Sequence, residues 1–137
     1  MFQKITSESI QNALMGNTRQ YITGRLKLKQ ALDHIDDENI EIGVTDYKEY
    51  TAEHPHTHKV AFEYQYMISG KTKYLDTDTD EETYYEAGDF YKIEPGTKYA
   101  QKSVGGTTIL FIKTPPGNDK VTIETNDTVK QWLERWE

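Results

Sequence analysis

The stretch His54-Pro55-His56-Thr57-His58-Lys59-Val60-Ala61-Phe62-Glu63-Tyr64-Gln65-Tyr66-Met67-Ile68-Ser69-Gly70 carries three of the four histidines of a 137-residue chain, at alternate positions. In an extended strand, side chains two apart share a face, and a rise of roughly 3.3 Å per residue leaves the backbones of His56 and His58 about 7 Å apart. Two imidazoles at that spacing can converge on one metal ion. Glu63 follows after four residues, room for a turn or bulge and the start of a second strand. Its carboxylate would supply a third, harder ligand. Pro55 cannot donate to a sheet ladder and marks a strand start, an edge or a bulge. In a regular strand the backbone of His54 would lie roughly 13 Å from that of His58, so His54 is expected at the rim.

Anchored on His56, the stretch reads H-x-H-x4-E-x6-G and resembles the first signature of the cupin superfamily. Residues Gly88-Asp89-Phe90-Tyr91-Lys92-Ile93-Glu94-Pro95-Gly96-Thr97-Lys98-Tyr99-Ala100-Gln101-Lys102-Ser103 are similar in spacing to the second, G-x5-P-x-G-x2-H-x3-N, with both glycines kept. Glu94 takes the proline position with Pro95 next to it, Tyr99 the histidine and Ser103 the asparagine. Tyr50 stands where the first signature often has glycine. The resemblance covers about residues 43–114. It implies an all-β double-stranded β-helix, the cupin jelly roll, with one open mouth. The domain would span 1–137 with its core at about 40–124. The implied cofactor is a divalent transition metal (Fe, Mn, Ni, Zn, Co or Cu) held by His56, His58 and Glu63, and the implied assembly is a homodimer. Tyr99, in the place of the usual fourth ligand, reads as a phenolate ligand, as a general acid or donor to a substrate, or as a filler, and the donor reading is preferred. Gln101, on the same face, could bond a metal-bound water or the substrate. Tyr99 and Gln101 are the candidate catalytic residues.

Composition bounds the partners. A formal net charge of −7 without a cluster of Lys and Arg argues against nucleic acid. No apolar run approaches a membrane span, and the start Met1-Phe2-Gln3-Lys4 lacks signal-peptide character, so a cytoplasmic protein is expected. The absence of cysteine removes disulfides, thiolate ligands and a Cys nucleophile.

Residues 6–15 predict a short helix capped by Thr6 or Ser7 and stopped by Gly16. Leu26 and Leu28 alternate with Arg25, Lys27 and Lys29, which predicts a strand, and His34 falls in the polar connection after it. Ile40, Ile42 and Val44 alternate likewise. Within 60–69, Glu63, Gln65 and Met67 share one face while Phe62, Tyr64, Tyr66 and Ile68 share the other. Asp76, Asp78, Asp80 and Glu82 alternate like a calcium loop, but an EF-hand would need glycine at 81 and glutamate at 87, where Glu81 and Ala87 stand. A solvated hairpin tip is expected there. Residues 83–86, 90–93 and 121–123 read as short strands, and 107–114 as a fully buried one. At the C-terminus, 127–136 predicts an amphipathic helix with Val129, Trp132, Leu133 and Trp136 on one face and capping-box spacing at Thr128 and Gln131.

Three functions remain open at this point. One is a metal enzyme, a dioxygenase or isomerase acting on a small oxygen-bearing metabolite. Another is a metal-free module binding a sugar or other small molecule. The third is a metal-free isomerase or epimerase with His56 as base and Tyr99 as acid.

Overall fold

Ten strands and two short helices follow from these patterns, and the computed structural model describes them over all of residues 1–137. In chain order they are α1 (Ser7–Met15), β1 (Arg19–Thr23), β2 (Glu41–Tyr47), β3 (Thr51–His58), β4 (Phe62–Ser69), β5 (Lys71–Asp76), β6 (Glu82–Glu86), β7 (Phe90–Ile93), β8 (Tyr99–Ser103), β9 (Thr107–Thr114), β10 (Lys120–Thr122) and α2 (Asp127–Glu134). The strands form two five-stranded sheets, ordered β1-β2-β9-β4-β7 and β10-β3-β8-β5-β6. Every pairing between these strands is antiparallel. No helix is long and apolar enough to cross a membrane.

The alternation expected in β4 is borne out: Glu63, Gln65 and Met67 are buried, while Tyr66 and Ile68 are exposed. Between the sheets, Tyr47, Met67, Tyr74, Tyr91, Tyr99 and Ile109 form the main apolar cluster. Four of those six side chains are tyrosines, and the core is correspondingly polar at its hydroxyl ends. Gly70 ends β4 at φ +81, and a Cβ there would run into Thr107, so the turn into β5 needs glycine.

Four expectations are corrected. The first strand is Arg19–Thr23, while 25–29 is irregular with Leu28 85% exposed. Gln30 explains this: its side chain bonds both the backbone N–H (2.9 Å) and the carbonyl (2.6 Å) of Tyr21, occupying the sheet edge that a following strand would have paired with. β9 is buried on its inner face only, with Thr107, Ile109, Phe111 and Lys113 inward and the alternate residues half-buried. The last strand stops at Thr122. In α2 the cap is Asn126, whose side chain accepts from the Val129 N–H at 2.9 Å, and Thr128 lies inside the helix.

Helix α2 packs Val129 and Leu133 on Leu75 and Ala100, against the outer face of the second sheet. Its last carbonyls have no partners within the helix, and strand side chains supply them. Lys102, 3% exposed, donates to Trp132 O (2.8 Å) and Arg135 O (3.0 Å) with its ammonium 4.2 Å from the centre of the Trp132 ring. Lys73 does the same for Trp136 O, and Tyr50 donates to Leu133 O. Lys102→Met should therefore lower stability by about 1 kcal/mol in urea unfolding, the cost of two part-buried carbonyls losing their donor, with faster amide exchange in α2. Unchanged exchange in α2 would refute the capping role.

Candidate functional site

Strand β3 changes register between Glu53 and His56 in its pairing with β8. Pro55, expected at a strand start, an edge or a bulge, sits inside a bulge, since it has no N–H to offer and the ladder skips a residue. The bulge turns Glu53, His56 and His58 toward the interior, whereas His54 is exposed and contributes only its carbonyl, which faces His56 Nδ1 at 3.0 Å. From β4 comes Glu63 and from β8 come Tyr99 and Gln101, and all six side chains line a cavity of about 160 Å³ between the sheets. His34 lies outside it.

The expected residues meet in a chain of hydrogen bonds. Glu63 Oε1 faces His58 Nε2 at 2.9 Å and the Tyr99 hydroxyl at 3.0 Å, and that hydroxyl faces His56 Nε2 at 3.1 Å. Gln65 reaches Glu63 Oε2 at 3.4 Å and accepts from the hydroxyls of Tyr74 (3.1 Å) and Tyr91 (2.8 Å). Gln101 is 5% exposed and spends its amide N–H on Thr72 Oγ1 at 3.0 Å. The His56 and His58 rings lie edge to face with centres 5.4 Å apart.

Other members were not visible in the sequence. Asp119 faces His58 Nδ1 at 2.7 Å, accepts from the backbone N–H groups of Val60 and Ala61, and pairs with Lys113 at 3.2 Å. Lys113 also donates to Gly117 O. At the far end of β3, Glu53 accepts from Arg19 (3.1 Å) and from the Tyr47 hydroxyl (3.0 Å). Asp119 is 61 residues from His58, and no local pattern links them. Glu53 had one signal, the proline two residues on, which shifts the inward face from alternate positions to a three-residue step.

The surroundings set the charges. Burial holds His56 below its usual imidazole value. His58 is raised by its hydrogen bond to Glu63, against the pull of burial, with Asp119 adding to the effect. For Glu63 burial pushes upward, yet the bonds from His58 and Tyr99 bring the net value below the usual range. Asp119 is lowered too, because the Val60 and Ala61 amides, His58 and Lys113 outweigh burial. Burial, then the charges of Glu63 and Glu53, keep the Tyr99 hydroxyl protonated far above a free phenol.

Of the proposed metal ligands, His58 is therefore bonded directly to Glu63, while His56 reaches Glu63 only through the Tyr99 hydroxyl in this conformation. Two imidazoles and a carboxylate are a suitable donor set, but no three His, Asp or Glu side chains are arranged so as to hold a metal ion. A second cavity of about 250 Å³ lies beyond Tyr99, walled by Tyr74, Tyr85 and Tyr91, and contains no histidine.

No family model matches the sequence, and no curated protein matches it. Solved structures do. An uncharacterised conserved protein with a double-stranded β-helix domain from Klebsiella pneumoniae superposes with a TM-score of 0.53 at 19% identity, over 65% of this chain and 78% of that one. KdgF from Halomonas sp. gives 0.55 at 14% identity, over 74% and 80%. The nucleoside dehydratase Pac13 of Streptomyces gives 0.56 at 13% identity, over 69% and 76%. The chain has the double-stranded β-helix fold of the cupins, and at these identities the likeness is one of fold.

Because His58 is raised above its unfolded value of 6.5, its contribution to stability is fully present below that pH and lost as pH rises through the folded value. The stability difference between wild type and His58→Gln in chelator should thus be constant just below pH 6.5 and shrink above it. Denaturant midpoints across pH check this, and a difference that does not shrink would contradict it.

Proposed function

We propose that the cavity is the active site of an enzyme that moves a proton on a small oxygen-bearing molecule by acid/base chemistry of the side chains alone. The observation that carries this reading is the Tyr99 hydroxyl set between His56 Nε2 (3.1 Å) and Glu63 Oε1 (3.0 Å). One phenolic proton serves two acceptors. With His56 neutral and its Nδ1–H donated to the His54 carbonyl, Nε2 carries a lone pair, so Tyr99 can satisfy either His56 or Glu63. One further proton completes the chain: His56 then donates through both nitrogens and Tyr99 donates to Glu63. His56 is thus the base, one proton short of a filled network, and Tyr99 is the acid that returns a proton to the ligand and is reprotonated by His56 across their 3.1 Å bond.

The other residues hold this pair in place. His58 bonds carboxylates through both nitrogens, an arrangement only its protonated form satisfies. It thereby fixes the orientation of Glu63 and balances its charge in a buried setting. Gln65 and the Tyr74–Tyr91 pair hold the other carboxylate oxygen from behind. Gln101 lines the wall and orients the ligand with its free amide oxygen. That Pac13, of the same fold, is a nucleoside dehydratase supports a small-molecule reaction but not any one substrate.

A second reading is favoured by one detail. Both histidines have Nδ1 against an acceptor, the His54 carbonyl or Asp119, which is the orientation of metal-ligating imidazoles. In that reading His56, His58 and Glu63 would hold a divalent ion once Glu63 releases His58. The ion would act as a Lewis acid on an oxygen of the ligand.

A thermal-shift screen of small hydroxy and keto metabolites, followed by NMR of the hits in D2O with and without chelator, separates the two. Turnover is expected to survive the chelator, with kcat lowered at least ~100-fold in His56→Ala and in Tyr99→Phe while the hit still binds. Turnover that requires one metal per chain, lost in His56→Ala, would replace the acid/base reading with the metal one. Hits that bind and are never converted would leave a binding module.

A further inference from the structure

The cavity belongs to a chain of formal net charge −7, yet beside the protonated His58 it is lined by Arg19, Lys113 and Lys120 against two carboxylates, Glu53 and Glu63. The carboxylates are engaged: Glu53 by Arg19 and Tyr47, and Glu63 by His58, Tyr99 and Gln65. Lys113 is likewise committed, to Asp119 and the Gly117 carbonyl.

Lys120 differs. It sits opposite His58 in the β10–β3 ladder, and cross-strand partners share a face. Its ammonium has no acidic partner within ion-pairing distance. Asn118, two residues earlier, lines the same cavity, is exposed, and makes no side-chain hydrogen bond within the protein. The mouth beside His58 therefore offers donors whose needs no protein acceptor meets, while both carboxylates that line the cavity are already engaged. A ligand that completes this lining brings acceptor oxygens and negative charge.

We propose that the ligand is a small organic anion whose acidic group is received at the mouth by Lys120 and Asn118, with its reacting carbon carried inward to His56 and Tyr99. This rests on the same cavity being the active site. The volume, about 160 Å³, suits a short acid. Carboxylate and phosphate present the same chemistry to the pair, and the experiment distinguishes them.

The test is calorimetric titration of the full chain with succinate, with succinamide, its neutral counterpart of equal length, and with inorganic phosphate. Succinate or phosphate should bind and succinamide should not, and the tighter anion identifies the acidic group. Lys120→Gln should weaken anion binding roughly tenfold, the loss of one charge-assisted bond, and Lys120→Arg should restore most of it. Because Lys120 is exposed and unpaired, neither variant should change the melting temperature without ligand. Succinamide binding as tightly as succinate, no binding of either anion, or unchanged binding in Lys120→Gln would overturn the proposal. His56→Ala should retain anion binding. Anion binding lost in Lys120→Gln, with turnover intact in His56→Ala, would therefore refute the acid/base reading and leave the anion site standing, and the opposite pair of results would do the reverse.

Discussion

Burying one carboxylate is the constraint around which this barrel is arranged. Glu63 is 9% exposed, and an ionised carboxylate taken from water is tolerated only with charge and hydrogen bonds supplied on all sides. Each supplier is on a different strand: His58 on β3, Tyr99 on β8, and Gln65 beside it on β4. Those suppliers have needs of their own. His58 takes Asp119 from the loop before β10, Asp119 takes Lys113 from β9 and two amides from the β3–β4 turn, and Gln65 takes Tyr74 from β5 and Tyr91 from β7. One buried charge thus ties together both sheets.

The same constraint explains why the core is built from tyrosine. An apolar barrel interior of leucine and valine would leave Gln65 and Glu63 unsatisfied, whereas a phenol fills comparable volume and ends in a donor. Tyr74, Tyr91 and Tyr99 pack by their rings, with Tyr74 lying 5.4 Å from each of the other two. Their hydroxyls meet at the two polar side chains. Packing and polar satisfaction are met by the same residues, so the hydroxyl positions are fixed by the rings behind them.

Much of this was legible in the sequence where the information is local. Strand alternation placed Glu63, Gln65 and Met67 on one face, and the spacing of His56, His58, Glu63 and Tyr99 brought the four into one cavity. What could not be read was set by long-range contact. Asp119 follows a Pro-Gly turn that gives no hint of where it lands, and Gln30 overrides the Leu-Lys alternation at 25–29 by bonding a strand edge. Arg19 and Glu53 meet only because the sheets close on each other and the bulge at Pro55 changes which residues point inward. The cap of α2 was misplaced for a different reason: Asn126 and Thr128 are both competent caps, and the docking of Val129 and Leu133 on the second sheet chooses between them.

Tyrosine at 99 changes what the site can do more than any other departure from the cupin signatures. An imidazole there would be a second neutral base beside His56, facing Glu63 and able to accept a metal or a proton. A phenol that burial and two carboxylates keep protonated is instead a donor over the whole working pH range. It also supplies one proton where two acceptors wait, and His56, held neutral by burial, cannot make up the shortfall by itself. The chain His56–Tyr99–Glu63 is therefore one proton short, and the hydroxyl serves either His56 or Glu63. On the acid/base reading proposed above, a site in this condition would gain a hydrogen bond on removing a proton from what it binds, and that gain would favour the protonated state over the resting one.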